Sequence, residues 1–377
     1  MCDRLISCLL FVVCCLFGKR FNGDRSKRPF TNKWRQQAKK KTVFLILSCA
    51  VLLFTVFVHG IPALSGESGV GSREENFSML LQQGRDYYDA GQFSQAVKVW
   101  EQAASSFASQ GDGLNQALVL SNLSLAYQHL GQWTQAKAAI AKSLDLLQAS
   151  TGTSQERSRI LAQALNTQGS LQLVLGQAEQ ALDTWQQAAE AYRQANDQAG
   201  MLKSQINQAQ ALKSLGLYRR ALATLTQVNQ ALQKQPDSLV KVAALRSLGS
   251  AFLLTGDLEQ SQQVLQQSLN LAQRLQSAQD TAATLYDLGN TARARQDAKA
   301  ALEYYQQAAA IAISPVTKIQ AQLNQLSLLI ETQQASAAQE LWPKIQSQLD
   351  NLPPSRATVY AQIDLAMSLM KLSELSK

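Results

Sequence analysis

From residue 77 onwards, the chain repeats one pattern of small and large residues about every 40 residues. A glycine recurs as Gly91, Gly131, Gly176, Gly216 and Gly256, in steps of 40, 45, 40 and 40 residues. A small residue follows each glycine by five positions, and a large apolar residue follows four positions later. A fixed period of this length predicts a solenoid, in which each repeat buries its apolar face only against its neighbours.

The residue pattern predicts that each repeat forms a pair of antiparallel helices. In the second copy, Leu120, Leu123 and Tyr127 have the spacing of one apolar helix face. Gly131 then supplies the left-handed backbone of a tight turn, and Ala136 is small enough for two helices to cross closely. No segment alternates with a period of two residues, as a half-buried strand would. The sequence therefore predicts an all-α fold, a solenoid of helical hairpins.

The repeat resembles the tetratricopeptide repeat (TPR). Leu248-Gly249, with Phe252 three residues later and then Ser261-x-x-x-Leu265, is similar to the L-G-x-x-Y and A-x-x-x-F signature of that family. The repeats are about 40 residues long instead of the usual 34, which is similar to the long repeats of kinesin light chains. The resemblance covers roughly residues 77–345. It implies a right-handed superhelix whose first helices line a concave groove for protein partners.

The array is predicted over residues 77–349 as about seven hairpins. The seventh, residues 319–349, has Gln333-Gln334 in place of the turn glycine. The five extra residues of the third repeat fall in a polar stretch, residues 149–159, which we expect to be a turn. Residues 350–377 are predicted to form a terminal helix that is either unpaired or a cap.

The N-terminal part is predicted to differ from the array. Residues 1–41 are basic and expected to be largely disordered, with a short apolar run at residues 5–17. Residues 42–65 are long and apolar enough to be a transmembrane anchor, or a signal peptide cleaved near Ser65. The lysines before this run would stay in the cytoplasm, so the array is expected to be periplasmic or otherwise extracytoplasmic, or secreted after cleavage. Residues 66–76 are predicted to be a flexible linker.

Charge and composition exclude several classes of function. Residues 1–41 contain eleven basic and two acidic side chains, so the net charge of +8 becomes −1 over the rest of the chain. A neutral folded part does not favour a nucleic-acid partner. All five cysteines precede residue 50, and His129 is the one histidine after the apolar run. Without a nucleophile and base pair, a phosphate-binding loop or clustered metal ligands, we predict no enzyme, cofactor, metal or small-molecule substrate.

Partner binding is predicted on the concave side of the first helices. Helix geometry places two stripes there, and Asn122 and Asn207 occupy the same phase within them. The stripes are Leu118, Asn122, Leu125 and His129, and then Lys203, Asn207, Gln210 and Ser214. An amide can both donate to and accept from an extended peptide, and the light-chain resemblance implies such an asparagine contact. The alternative is that these are ordinary solvated polar residues.

Two arginines, Arg246 and Arg293, add positive charge to the first helices and complete the set of candidate partner-binding residues. No full set of Lys and Asn matches the carboxylate clamp of chaperone-binding repeats, so capture of a C-terminal acidic motif is not predicted.

A narrower resemblance concerns the Gln- and Ala-rich repeats and the terminal segment PPSRATVYAQIDLAMSLMK, residues 353–371. Together with the apolar N-terminal segment, they are similar to the N-terminal half of bacterial CHAT-domain proteins, where such repeats precede a caspase-like domain with a His and Cys pair. No position here carries those catalytic residues. Two hypotheses follow: a membrane-tethered, non-catalytic scaffold that binds a protein or peptide, or a truncated regulatory half of a CHAT protease-type protein.

Overall fold

The computed structural model describes residues 71–149, 154–352 and 356–375. Within these ranges the regular structure consists of fifteen α-helices, and no residue is in a strand. The helices are α1 (Gly71–Asp89), α2 (Phe93–Gln110), α3 (Gly113–His129), α4 (Trp133–Ala149), α5 (Gln155–Val174), α6 (Ala178–Gln194), α7 (Gln198–Ser214), α8 (Tyr218–Gln233), α9 (Leu239–Thr255), α10 (Leu258–Arg274), α11 (Ala278–Ala294), α12 (Ala298–Ile311), α13 (Pro315–Glu331), α14 (Ala335–Asp350) and α15 (Arg356–Leu375).

Consecutive helices pack as seven hairpins, from α1–α2 to α13–α14, and α15 packs against both helices of the seventh. The first helix of each hairpin from α3 onwards also contacts the first helix of the next. The all-helical prediction and the hairpin prediction are therefore confirmed for the described residues.

The turn inside each hairpin depends on one left-handed residue. Gly91, Gly131, Gly176, Gly216 and Gly256 all have positive φ, between 71° and 87°. In the sixth and seventh hairpins Gln296 and Gln333 adopt the same conformation, with φ of 63° and 57°. A turn of fixed geometry therefore recurs even where the sequence lacks the glycine that best tolerates it.

The first helices of hairpins two to seven begin at side-chain caps. Each is preceded by an Asp or Ser whose side-chain oxygen accepts the backbone N–H three residues later. Such caps satisfy N–H groups that the helix leaves without a partner. They define where each new repeat starts.

The crossing of the two helices in a hairpin is closed by a small residue with no exposed surface. These residues are Ala96, Ala136, Ala181, Ala221, Ser261 and Ala301. Around them the core is shared between neighbours: one cluster joins Leu202 and Leu225 of the fourth hairpin to Val242 and Val264 of the fifth. The apolar surface is therefore buried along the whole array, as stacking requires.

Two boundaries differ from the sequence prediction. Residues 71–76, assigned to the linker 66–76, belong to α1, because Arg73, Glu74 and Glu75 favour helix and continue directly into its apolar part. In the polar stretch 149–159, α5 already begins at Gln155, because Ser154 caps it by accepting the N–H of Arg157.

The predictions for residues 1–65, including the basic segment 1–41 and the anchor or signal peptide at 42–65, lie outside the described residues. Among the described helices, none combines the length and apolar character needed to cross a bilayer.

Candidate partner-binding groove

The inner side of the array carries a cleft of about 540 Å³ that we call the charged cleft. Every side chain that lines it comes from a first helix, α5, α7, α9, α11 or α13. The lining residues are Leu173, Gln210, Lys213, Ser214, Arg246, Ser247, Ser250, Ala283, Tyr286, Asp287, Thr317 and Gln320. First helices therefore form the wall of a groove, as predicted from the repeat pattern.

Three charged side chains meet in this cleft. Arg246 on α9 lies 3.7 Å from Asp287 on α11, measured from Nε to Oδ2. Lys213 on α7 donates from Nζ to the Ser250 hydroxyl at 3.2 Å. Arg246 is 33% exposed and Asp287 is 25% exposed, so both are largely removed from water.

Burial changes the acidity of this cluster. Desolvation raises the pKa of Asp287 to about 6, although the positive charges of Arg246 and Lys213 oppose the change. Desolvation also lowers the pKa of Lys213, against the attraction of Asp287. Both shifts have the direction expected when a charged group leaves water. The charged cleft is therefore a region where electrostatic interactions are stronger than at an exposed surface.

A second cleft, of about 560 Å³, adjoins the first and shares Tyr286 and Gln320 with it. We call it the aromatic cleft. It brings the end of α3 and the start of α4 together with α11, α13 and the last helix, α15. The lining residues are Gln128, His129, Trp133, Val174, Tyr286, Gln320, Leu323, Asn324, Ala357, Tyr360, Ala361 and Asp364. The linings of the two clefts share Tyr286 and Gln320 and together extend from hairpin two to α15, and we call the two clefts the groove.

The wall shared by the clefts is held in place by hydrogen bonds. Asn324 donates to the Tyr286 hydroxyl at 3.1 Å and to the Asn290 side-chain oxygen at 3.0 Å. Tyr305 donates to that same Asn290 oxygen at 2.8 Å. Burial raises the pKa of Tyr286, which keeps its hydroxyl protonated. The ring of Tyr286 is therefore positioned before any partner binds.

His129 has a structural environment at the edge of the groove. Its ring stacks on Phe93, with centroids 4.2 Å apart and planes 6° apart. Its Nε2 lies 3.0 Å from the Tyr88 hydroxyl. Desolvation lowers the pKa of His129, which favours the neutral ring. Among the described residues, no group of three His, Cys, Asp or Glu side chains could hold a metal ion.

The four predicted partner-binding residues lie in different places. Arg246 lines the charged cleft. Arg293 instead forms an ion pair with Glu331 and donates to the Ser327 hydroxyl at 3.3 Å, so it links α11 to α13. Asn122 and Asn207 are half-buried on α3 and α7, and other residues line the two clefts. Partner binding by these four residues stays a prediction.

The sequence pattern does not predict Lys213 and Asp287 as groove residues, although the spacing of Asp287 from its turn residue could have indicated it. Asn122 and Asn207 each lie nine residues before the turn glycine of their hairpin. Counting back nine residues from Gln296, which replaces the glycine, gives Asp287. Lys213 lies three residues before its glycine and carries no comparable signal, because its approach to Arg246 depends on how hairpins four and five stack.

Comparison with known proteins agrees with this architecture. A family model described as tetratricopeptide repeat matches residues 241–314, which include hairpins five and six. No curated protein matches the chain in sequence.

Several solved structures are similar in fold. One is a Rap protein complexed with Competence and Sporulation Factor: 15% identity, TM-score 0.56, covering 79% of this chain and 80% of that one. Another is a tetratricopeptide repeat protein from Parabacteroides merdae, with 11% identity and a TM-score of 0.51, and the match covers 78% of this chain and 99% of that one. A structure of TPR-like repeats from Podosopora anserina, described as those of a kinesin light chain, has 20% identity and a TM-score of 0.43, and the match covers 54% of this chain and 97% of that one. These identities show a shared fold alone.

Proposed function

We propose that this chain, a tetratricopeptide repeat protein, is a non-catalytic scaffold that binds a peptide or protein segment in the groove formed by its first helices. One observation carries the proposal: two adjoining clefts, one charged and one aromatic, are lined mainly by first helices and share Tyr286 and Gln320. Concave surfaces lined by successive repeats are how solenoids present binding sites. The Rap protein of similar fold, which was solved in complex with Competence and Sporulation Factor, supports a binding role.

The proposal includes a membrane tether through residues 42–65 with the array outside the cytoplasm. Its basis is the apolar run and the basic residues before it. Alkaline extraction of membranes and N-terminal sequencing of the mature chain test it. Retention in the membrane supports an anchor, whereas a mature chain that begins near residue 66 supports the secreted alternative.

Peptide binding in the groove is tested with a variant whose enlarged side chain blocks the charged cleft. Ala283 lines the charged cleft and is half-buried, so Ala283→Trp places an indole in the groove. The matched control is Ala223→Trp, because Ala223 is an exposed residue of α8, a second helix. The probe is a library of random octapeptides passed over the immobilised full chain, and retained peptides are identified by mass spectrometry.

We expect the wild type and Ala223→Trp to retain a common set of peptides, and Ala283→Trp to lose most of them. Circular dichroism of each variant checks that the helices remain folded. Equal retention by folded Ala283→Trp and wild type would move the binding site away from the groove. Failure of the wild type to retain any peptide would remove peptide binding as the function.

A second candidate is a regulatory chain for a CHAT-type hydrolase. The observation that favours it is an exposed apolar surface on α15, at the end of the described array. Val359, Tyr360, Ile363, Met367 and Met370 are each at least 48% exposed. Sequencing the native locus past the codon for Lys377 tests this candidate. A neighbouring frame that encodes a caspase-like His and Cys pair supports it, and the absence of such a frame favours the scaffold.

A further inference from the structure

The aromatic cleft has three aromatic side chains that come from distant parts of the chain. Trp133 lies at the start of α4, Tyr286 on α11 and Tyr360 on α15. Trp133 and Tyr286 are half-buried, and Tyr360 is 54% exposed. A ligand that fills this cleft therefore contacts rings from hairpins two and six and from the last helix.

The aromatic cleft also has a net negative charge. Among the described residues that line it, Asp364 is the charged one, and burial lowers the pKa of His129, which favours its neutral ring. Within the described ranges, no Lys or Arg lines the cleft. Asp364 also takes part in none of the ion pairs between described residues. The cleft therefore has a carboxylate that no neighbouring cation balances.

The ring of Tyr286 is fixed close to this carboxylate. Burial raises the pKa of Tyr286, and the negative charge of Asp364 adds to the increase. Because Coulomb interactions weaken with distance, this effect places the Asp364 carboxylate near the phenol ring. Asn324 donates to the Tyr286 hydroxyl at 3.1 Å, which holds the ring in place. A cation beside Tyr286 is therefore attracted by the ring face and by the carboxylate together.

We propose that the aromatic cleft binds a small organic molecule through a quaternary ammonium group, which lies against the three aromatic rings and pairs with the Asp364 carboxylate. Aromatic ring faces attract cations, and quaternary ammonium ligands are the ones that such sites recognise best. The inference goes beyond the proposed function, because it requires no peptide in the groove.

The lining favours this cation over a metal ion or a primary ammonium. Among the described residues, no group of three His, Cys, Asp or Glu side chains could hold a metal ion. A primary ammonium is strongly hydrated and has three N–H donors that each need an acceptor. A quaternary ammonium has no N–H group, and its methyl groups bury apolar surface against the aromatic and apolar residues that make up most of the lining. The volume of about 560 Å³ lies in the range of small-molecule sites.

The test measures ligand binding to the full chain by isothermal titration calorimetry. The first probe is choline. Its matched control is the neutral isostere in which a tert-butyl group replaces the trimethylammonium group, so the two ligands differ in charge and share their shape. The third ligand is methylammonium, which tests whether a primary ammonium binds as well.

The variants change the ring and the charge of α15 separately. Tyr360→Leu removes the ring, Tyr360→Phe keeps it, and Asp364→Asn removes the charge. The controls are Tyr218→Leu and Asp145→Asn, which make the same changes at exposed positions of the second helices α8 and α4. Circular dichroism checks that every variant remains folded.

We expect wild type to bind choline about tenfold more tightly than its neutral isostere, a ratio that cation–π contacts partly removed from water supply. Methylammonium should bind more weakly than choline. Tyr360→Leu and Asp364→Asn should each weaken choline binding about three- to fivefold, the loss expected for one partly exposed ring or charge. Tyr360→Phe and both controls should bind choline like wild type, which separates loss of the ring from loss of the hydroxyl.

Four results would overturn the inference. These are no heat of binding for choline at millimolar concentration, equal affinity for choline and its neutral isostere, equal affinity for choline and methylammonium, and wild-type affinity in folded Tyr360→Leu and Asp364→Asn. The proposed function stands in each case if octapeptides are retained and Ala283→Trp abolishes their retention. Choline binding with the expected variant effects, by a chain that retains no peptide, would instead support the inference and remove peptide binding.

Discussion

One methyl group added at Gly169 should disturb the packing of Trp185 in hairpin three. A Cβ added at Gly169 would lie 2.6 Å from the indole nitrogen of Trp185 and 2.8 Å from two of its carbons. Trp185 is 2% exposed, and its Nε1 donates to the carbonyl of Asn166 at 3.1 Å. The ring therefore cannot move aside without losing both packing and a hydrogen bond.

The expected cost of Gly169→Ala follows from two opposing effects. Replacing a glycine inside a helix by alanine stabilises the helix by about 1 kcal/mol. Overpacking a buried site costs about 1–3 kcal/mol, and expelling the indole would approach the roughly 3–5 kcal/mol of a Trp→Ala change. Approaches of 2.6–2.8 Å are far shorter than ordinary van der Waals contact, so the cost lies at the upper end of the overpacking range, about 3 kcal/mol, and we expect a net loss of about 2 kcal/mol in the free energy of unfolding.

The chain offers its own compensating pair. At the equivalent positions of hairpin four, Ala209 faces Leu225, and both are fully buried. The double variant Gly169→Ala/Trp185→Leu copies this pair into hairpin three. Each single change should destabilise, whereas the double variant should be less destabilised than the sum, with a coupling of at least about 1 kcal/mol.

The assay is hydrogen exchange of the α5 and α6 amides together with urea denaturation, because repeat arrays do not always unfold in one step. Gly113→Ala is the control, since a Cβ there has no atom within 4 Å. Additive single and double variants, or a Gly169→Ala chain as stable as wild type, would refute the steric reasoning.

Three further predictions concern the crossing, the groove and pH. Ala181→Arg should unfold hairpin three locally, at a cost above about 3 kcal/mol, because the fully buried crossing cannot accommodate a charged side chain. Hydrogen exchange of the hairpin amides measures this local unfolding, and Ala223→Arg at an exposed position is the control. Asn122→Ala/Asn207→Ala should weaken peptide retention without lowering the Tm, and unchanged retention would remove both amides from the site. The pKa of Asp287 is about 6 in the folded chain, above its usual value of 3.8. The folded chain therefore binds this proton more tightly than the unfolded chain does, and the free energy of unfolding falls as pH rises from 3.8 to 6. At 1.36 kcal/mol per pKa unit the loss is at most about 3 kcal/mol, and urea titrations across this range should show no such slope in Asp287→Asn.

The repeat architecture could be predicted because it depends on local rules that each copy obeys. The same pattern of turn glycines, small crossing residues and apolar helix faces recurs at fixed distances. Each copy therefore predicts the hairpin independently of the others. Even Gln296 and Gln333 could be assigned as turn residues, because the phase is set by neighbouring copies. The start of α1 at Gly71 could not be predicted in this way, since no preceding repeat defines its phase.

The groove could be predicted only in part. Arg246 was identified as a groove residue, and it lines the charged cleft. Arg293 lies on an equally plausible first helix, but Glu331 pairs with it from the next hairpin. The sequence shows both residues and their spacing, yet it does not show which side chains of neighbouring repeats meet.

The sequence by itself determined that this chain forms stacked helical hairpins, because helix periodicity, turns and crossings are properties of residues close in the chain. Only the tertiary structure decided which charges share a cleft and that hairpin two and α15 line the same aromatic cleft. His129 and Tyr360 are more than 200 residues apart in sequence, and they lie on one cleft through the accumulated stacking of every hairpin between them. Small rotations at each repeat add up along the array, and no single repeat encodes their sum.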